Sequence, residues 1–440
     1  MKKVFLPFFS IVTLIFLLVA CNGGEPTTGK SSSDKGADKG KSTEISFWTF
    51  VEAHKKFYDD ALERWNKENP DRQITLKSEV YPYDQMHNNL LMALQSGSGA
   101  PDMVDIEVSR FPNYLKGKPQ LEPMNEYVDP VIDKFVKSRF EIYSKDGKYY
   151  GMPTHVGAVV MYYNTEIMKQ AGVDIDSIKT WDDYIEAGKK VVENTDAVMT
   201  TVDTGHDMQF WSLTSQQGGD FINDDGEVVI GNEESVKALT LLSDMVHKHK
   251  IAVLTPGGAP DASEEYFGFM NNGGAASLVM PMWYMNRFTD NMPDLKGKIA
   301  IRPLPAWKDG GDRSANMGGT GTVITNQAKD KELAKEFLAF AKLSKEGNIQ
   351  LWKQLGFDPP RWDVWDSEEI KEDNVYYQYF GTDIFDNLLE IKDEINPVHI
   401  TETSPKINIE ITTNTLNNVL RQQSKTPKEG LEDVKKAVTR

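Results

Sequence analysis

The run Ile45-Ser46-Phe47-Trp48-Thr49-Phe50 is short, apolar and aromatic, with the make-up of a buried strand. Downstream, Phe57, Ala61, Leu62 and Trp65 recur at helical spacing until Asn69-Pro70 stops the helix. Ile74, Leu76, Ser78 and Val80 alternate as a second strand. Met86, Leu90, Leu91 and Leu94 form another helical face, ended by Gly97-Ser98-Gly99, and Met103-Val104-Asp105-Ile106 reads as a third strand. Strands alternating with helices predict an α/β domain with a mainly parallel sheet. Farther along, Thr180-Trp181-Asp182-Asp183 predicts a capping box, Asp225-Gly226 a hairpin turn, and Asp330 an N-cap.

Upstream the character changes. Asn22 to Ser42 is rich in Gly, Ser, Thr, Lys and Asp without apolar periodicity, which reads as a flexible leash. Such a coil has an r.m.s. span of roughly 25 Å. Before it, Lys2 and Lys3 precede an apolar run from Val4 to Val19 and the small residue Ala20, the pattern of a secretory signal. Leu18-Val19-Ala20-Cys21 resembles the lipobox of bacterial lipoproteins. That resemblance implies a lipid on Cys21, the only cysteine of the chain, and an anchor on the extracellular face of the cell membrane.

A single cysteine allows no disulfide, so the fold rests on its core, and 440 residues suffice for two or three domains. The formal net charge of −17 disfavours nucleic acid, which calls for basic patches. It equally disfavours an anionic membrane surface beyond the lipid itself, and it favours a neutral or cationic ligand.

The scan for chemistry is largely negative. There is no phosphate-binding loop and no His-Glu-x-x-His. Gly318-Gly319-Thr320-Gly321 lacks the rest of a dinucleotide fingerprint. His247 and His249 sit at a helix end, and Asn223-Asp224-Asp225-Gly226 is out of register for a calcium loop. No metal, no cofactor and no catalytic residue is expected. Paired carboxylates for glycoside hydrolysis stay open, since no spacing singles out a pair among 66 acidic residues.

Ligands of an open α/β sheet bind beyond the carboxyl ends of its strands. Trp48 and Phe50 end the first strand, Tyr81-Pro82-Tyr83 follows the second, and Asp105 and Glu107 end the third. Aromatic faces beside carboxylates suit sugars, which present C–H patches next to hydroxyl edges. Taken singly, Trp48 and Tyr83 fit a plain core or rim role equally well.

Several blocks resemble the extracellular solute-binding proteins of ABC sugar importers (family 1). They are Ile45 to Phe50, Ala100-Pro101-Asp102-Met103-Val104, Tyr150-Gly151-Met152-Pro153 through Met161-Tyr162-Tyr163-Asn164, Asn271 to Ala276 with Pro281-Met282-Trp283, and the helix from Leu333 to Leu338. Within that family, Tyr266 to Asp363 is similar to the arabino-oligosaccharide-binding lipoproteins of Gram-positive bacteria. The match runs through Met282-Trp283-Tyr284-Met285, Ile299 to Trp307, Gly318-Gly319-Thr320, and Leu355-Gly356-Phe357-Asp358 leading to Arg361-Trp362-Asp363. Tyr81-Pro82-Tyr83 and Thr154-His155-Val156-Gly157 fit it as well.

The resemblance implies a two-lobed, hinged α/β fold of the periplasmic-binding-protein type, with ligand between the lobes. Residues 1–20 would be a signal peptide and 21–43 a lipid-anchored linker. Residues 44–154 and 322–360 would form one lobe, and 155–321 and 361–440 the other. It implies a non-catalytic, monomeric receptor that hands an oligosaccharide to a permease and its ATPase. Xylo- or malto-oligosaccharides are the alternative ligands, and a cell-surface glycoside hydrolase is the rival activity. Trp283 and Trp48 are expected as stacking platforms, one per lobe, and Asp105 and Glu107 as hydroxyl acceptors. Phe50 and Tyr83 are expected at the rim, and Gly318 and Gly319 where backbone approaches ligand. His155 is either a hydrogen-bonding partner or a hinge residue satisfied by backbone. Gln209, Trp211 and Trp362 complete the expected set.

Overall fold

The computed structural model describes residues 42–260 and 263–439, so the expected signal peptide, Cys21 and nearly all of the linker lie outside the described residues. Among the described residues twelve strands follow in chain order: β1 (Thr43–Thr49), β2 (Ile74–Val80), β3 (Met103–Glu107), β4 (Ser144–Lys145), β5 (Lys148–Tyr149), β6 (Met152–Pro153), β7 (Val159–Asn164), β8 (Thr200–Val202), β9 (Ala252–Leu254), β10 (Ser277–Pro281), β11 (Ile299–Arg302) and β12 (Thr320–Ile324). The first sheet has the order β2-β1-β3-β12-β6, the second β10-β7-β11; β8 and β9 form a separate parallel pair.

The strand–helix alternation read from residues 44 to 106 is present. Helix Glu52–Glu68 buries Phe57, Tyr58, Ala61 and Trp65, spaced so that one stripe faces the sheet, and its C-cap Asn69 immediately precedes Pro70. Helix Tyr83–Ser96 buries Met86, Leu90 and Leu94 and ends at Gly97, whose φ of 77° suits glycine. The capping box at Thr180 and the N-cap at Asp330 are both formed.

The expectation of a mainly parallel sheet needs correction. β1 pairs in parallel with β2 and β3, but β12 runs antiparallel to β3 and β6, and the second sheet is antiparallel throughout. The reason is topological. β12 returns to the first sheet after the chain has built the second, so it is inserted from the opposite end. Thr320 already pairs with Glu107 at the start of that strand.

Two clusters sandwich the first sheet. Ile45, Phe47 and Ile324 pack with the helices Glu52–Glu68 and Lys331–Leu343 on one face. Val104, Ile106 and Val323 pack with Tyr83–Ser96 on the other. Each fully buried aromatic here contributes on the order of 1.5–3 kcal/mol. A third, larger cluster builds the second lobe around β7 and β10. The chain passes from one core to the other between β6 and β7, again before β12, and a third time after the helix Lys345–Leu355. That helix gives Leu351 and Leu355 to the first lobe and Ile349 and Trp352 to the second.

The crossings are tied to each other. Thr154 N and Oγ1 both donate to Thr320 O at 3.0 Å, Val156 N donates to Asp358 O at 3.0 Å, and Ala158 N donates to the Asp358 carboxylate at 2.6 Å. Burial raises the Asp358 carboxyl to about 6, and the backbone amides of Ala158 and Gly157 work against that rise.

Candidate functional site

The crossings lie at the floor of a cleft of about 630 Å³ lined from both lobes. That volume is within the range of small-molecule sites. On the first-lobe side, Phe50 follows β1, Tyr83 opens the helix after β2, and Glu107 ends β3, so three strand ends meet there. On the other side stand Asp207, Met208, Trp283 and Asn286. Asn408, Ile409 and Thr412 come from the helix Ser404–Glu410 and the π-helical turn Ile411–Thr415 that extends it.

Glu107 is held firmly. Its Oε2 accepts from Tyr83 Oη at 3.0 Å, from Ser109 N at 2.8 Å and from Ser109 Oγ. Its Oε1 is buried without a hydrogen-bond partner in the protein. Its backbone N–H donates to His87 Nε2 at 3.1 Å, and His87 Nδ1 sits 2.8 Å from Tyr83 O. Burial lowers His87 to about 4, so the ring is neutral at pH 7 and carries its proton on Nδ1. Burial also raises the Glu107 carboxyl, against the Ser109 and Tyr83 bonds.

Trp283 follows β10 in a tight turn. Its Nε1 donates to Met317 O at 3.2 Å, and its half-buried ring packs against the cores of both lobes. Gly318 and Gly319 adjoin it with φ of 68° and 152°, backbone that L side chains rarely adopt. A Cβ on Gly319 would lie 2.4 Å from Arg139 Nη2 and 2.8 Å from Tyr143 Oη. The buried Arg139 guanidinium lies under this segment and donates to Gly318 O at 3.1 Å.

His155 is buried at the cleft floor with its ring against Phe357 at 5.2 Å. Burial, with Arg139 nearby, drives its pKa well down, so it is a neutral ring at pH 7. Its Nδ1 has no hydrogen-bond partner and lies 3.9 Å from Asp358 Oδ1, which has none either. That nitrogen is therefore not satisfied by backbone.

The cleft thus brings together Phe50, Tyr83, Glu107, His155, Trp283, Gly318 and Gly319 from the expected set. Five others stand elsewhere. Asp105 is fully buried, accepting from Thr49 Oγ1 at 2.7 Å and Thr322 Oγ1 at 2.6 Å with His54 Nδ1 at 2.9 Å. Burial alone would raise its carboxyl, but His54 holds it below the ordinary range. Adjacent strand residues point to opposite faces. Phe47 and Thr49 face one side of the sheet, so Trp48 turns to the other, against Tyr81 at 5.2 Å. Gln209 is spent on the turn before its own helix, bonding Asp203 N and Thr201 O. Trp211 stacks on Phe221 and donates to Asp220 beside the cleft, not in it. Trp362 is 49% exposed and donates to Asp133 O at the outer side of the crossings.

Several lining residues escape the sequence reading, among them His54, Arg110, Asp207 and Phe357. Asp207 has a signal. It follows the strand Thr200–Val202 through Gly205-His206, which is the same strand-end rule, but three residues are too short a strand to show a pattern. His54 and Phe357 have none, because their neighbours come from distant parts of the chain. Among the described residues no group of three or more His, Cys, Asp or Glu could hold a metal ion, and no helix is long and apolar enough to cross a membrane.

The profile of the bacterial extracellular solute-binding protein family matches residues 49–347. An arabinooligosaccharide-binding protein of Halalkalibacterium halodurans is 58% identical over 92% of this chain and 90% of its own length. One of Bacillus subtilis is 50% identical over 98% of each chain. The fold matches an ABC substrate-binding protein of Listeria monocytogenes, solved in complex with cycloalternan, with a TM-score of 0.74 and 22% identity over 91% of this chain and 98% of that one. With its cleft lined from two α/β lobes and these relatives along most of its length, the chain belongs to the bacterial extracellular solute-binding protein family.

Proposed function

We propose that the protein is an extracellular, lipid-anchored receptor that binds arabino-oligosaccharides in the interlobe cleft and delivers them to an ABC importer. The observation that carries the reading is the cleft itself. It holds an aromatic face, Trp283, beside the buried acceptor Glu107, and it is large enough for a small oligomer. The names of the two relatives at 58% and 50% identity support the choice of sugar.

In this reading Trp283, Phe50 and Tyr83 present ring faces to the sugar, Glu107 and His155 take hydroxyls, and Gly318 and Gly319 let backbone approach. The lobes comprise residues 44–154 with 322–360 and 155–321 with 361–440. Ligand contacts to both lobes draw the cleft shut by hinge motion, since only contacts made in the closed state shift that equilibrium. No covalent chemistry is assigned to the cleft. The permease and its ATPase would be separate chains, with the receptor itself a monomer.

Calorimetry against arabino-, xylo- and malto-oligosaccharides tests the ligand, with the arabino series expected to bind tightest. Failure of that series to bind defeats the assignment, and release of shorter sugars during incubation would point to a glycosidase instead. Replacement Cys21→Ser should release the protein into the medium with its sugar affinity intact. Weakened binding by the released form would tie the anchor to recognition.

A further inference from the structure

The cleft holds two buried carboxylates from opposite lobes. Glu107 ends β3 and is 5% exposed; Asp207 stands before the helix Met208–Ser215 and is 7% exposed. Both line the same cleft, and Asp207 lies near enough for its charge to act on Glu107. Asn408 Nδ2 fixes Asp207 through a 2.7 Å bond to Oδ1. Glu107 Oε1 is buried with no partner in the protein, so it has the capacity to accept one more hydrogen bond.

We propose, resting on the receptor reading above, that Glu107 and Asp207 select neutral oligosaccharides by accepting hydrogen bonds from sugar hydroxyls on the two sides of the cleft, and that together they exclude sugars bearing a carboxylate. An ionised carboxylate only accepts, so it pairs with a hydroxyl and has nothing to offer another anion. A buried acceptor left unpaired is costly, and a sugar hydroxyl removes that cost. Burial raises the carboxyls of both residues, so this site already disfavours negative charge, and an acidic sugar would bring more of it into a desolvated cleft. Rejection through such a repulsive element is a common basis of specificity.

The cations near the cleft are already engaged. Arg110 donates to Asp84 at 2.8 Å and lies 5.4 Å over the Tyr83 ring. Arg287 donates to Asn286 Oδ1 at 3.1 Å. Arg139 is beneath Gly318 and does not line the cleft. His206, beside Asp207, has Nδ1 3.8 Å from Asp203 Oδ2.

The test is calorimetry at pH 7 with three matched ligands: arabinotriose, the same trisaccharide with its terminal primary hydroxyl oxidised to a carboxylate, and the methyl ester of that acid. Wild type should bind the acid at least tenfold more weakly than arabinotriose, and the ester should recover most of the loss. Asp207→Asn and Glu107→Gln should each lower arabinotriose affinity about tenfold and shrink the penalty against the acid. Near-wild-type melting temperatures would show that the variants are folded, and either variant alone carries the comparison if the other is not. Equal binding of arabinotriose and its acid by wild type overturns the proposal while leaving the receptor reading intact. So does an Asp207→Asn variant with unchanged affinities, or calcium binding to sugar-free protein that this variant abolishes. Wild type that binds none of the three defeats the receptor reading and this inference with it.

Discussion

Replacing Trp283 with alanine should weaken oligosaccharide binding by about 1–3 kcal/mol, or about 5- to 150-fold, the range found where a ring stacks on a flat ligand face. The ring lies on the cleft floor and touches the cores of both lobes, so it is placed to contact the ligand as the lobes close on it. Its Nε1 is used on Met317 O, which fixes the ring and leaves the aromatic face for the sugar. Trp283→Phe keeps a ring and should recover most of the affinity, although it loses that bond. Calorimetry on both variants decides the role. A dissociation constant unchanged in Trp283→Ala would make the residue a structural wedge between lobes.

The second large effect concerns Lys342, which is 2% exposed beneath the first crossing. Its Nζ donates to Thr154 Oγ1 at 2.8 Å and lies 5.1 Å over the Phe57 ring. Burial lowers its pKa to about 7, partly opposed by Asp105. In the unfolded chain a lysine titrates near 10.4, so between those values the unfolded state binds more protons and stability rises with pH. A tenfold difference in proton affinity between the two states corresponds to about 1.4 kcal/mol, so at pH 7 and below the buried ammonium costs roughly 4–5 kcal/mol. Lys342→Met keeps the length of the side chain and removes the charge. The variant should be the more stable at pH 7, and its advantage should shrink by up to about 1.4 kcal/mol per pH unit as pH rises toward 10. Urea unfolding at several pH values measures this. An advantage that does not change with pH would mean that Lys342 keeps an ordinary lysine pKa in the folded protein.

A buried lysine at this position is therefore not a stability device. Lys342 and the end of its helix connect the crossings: Arg361 Nη1 donates to Leu343 O at 2.7 Å, and Asn348 Nδ2 donates to Lys342 O at 2.9 Å. A polar tie between crossings orders the hinge at some cost to the core.

Local pattern was enough for the elements of the first lobe. Phe57, Ala61 and Trp65 announce a helix by their spacing, and Asn69-Pro70 ends it, because both signals act within a turn or two of chain. The strand-end rule likewise led to Phe50, Tyr83 and Glu107. Trp48 and Asp105, two residues farther back on the same strands, do not line the cleft: Trp48 packs on Tyr81 and Asp105 is sealed by Thr49, His54 and Thr322, and only the packed sheet shows which part of a strand is covered.

By itself, then, the sequence determined the α/β alternation, the caps, the family motifs and the glycines at 318 and 319 that only a backbone of positive φ requires. The tertiary structure alone decided that β12 enters the first sheet antiparallel, that Asp105 is sealed by Thr49, His54 and Thr322, and that Asp207 and Glu107 line one cleft. The physical reason is range. Propensity and periodicity act over a few residues, whereas a cleft between lobes is made by groups that lie far apart in the chain and meet only when it has crossed over.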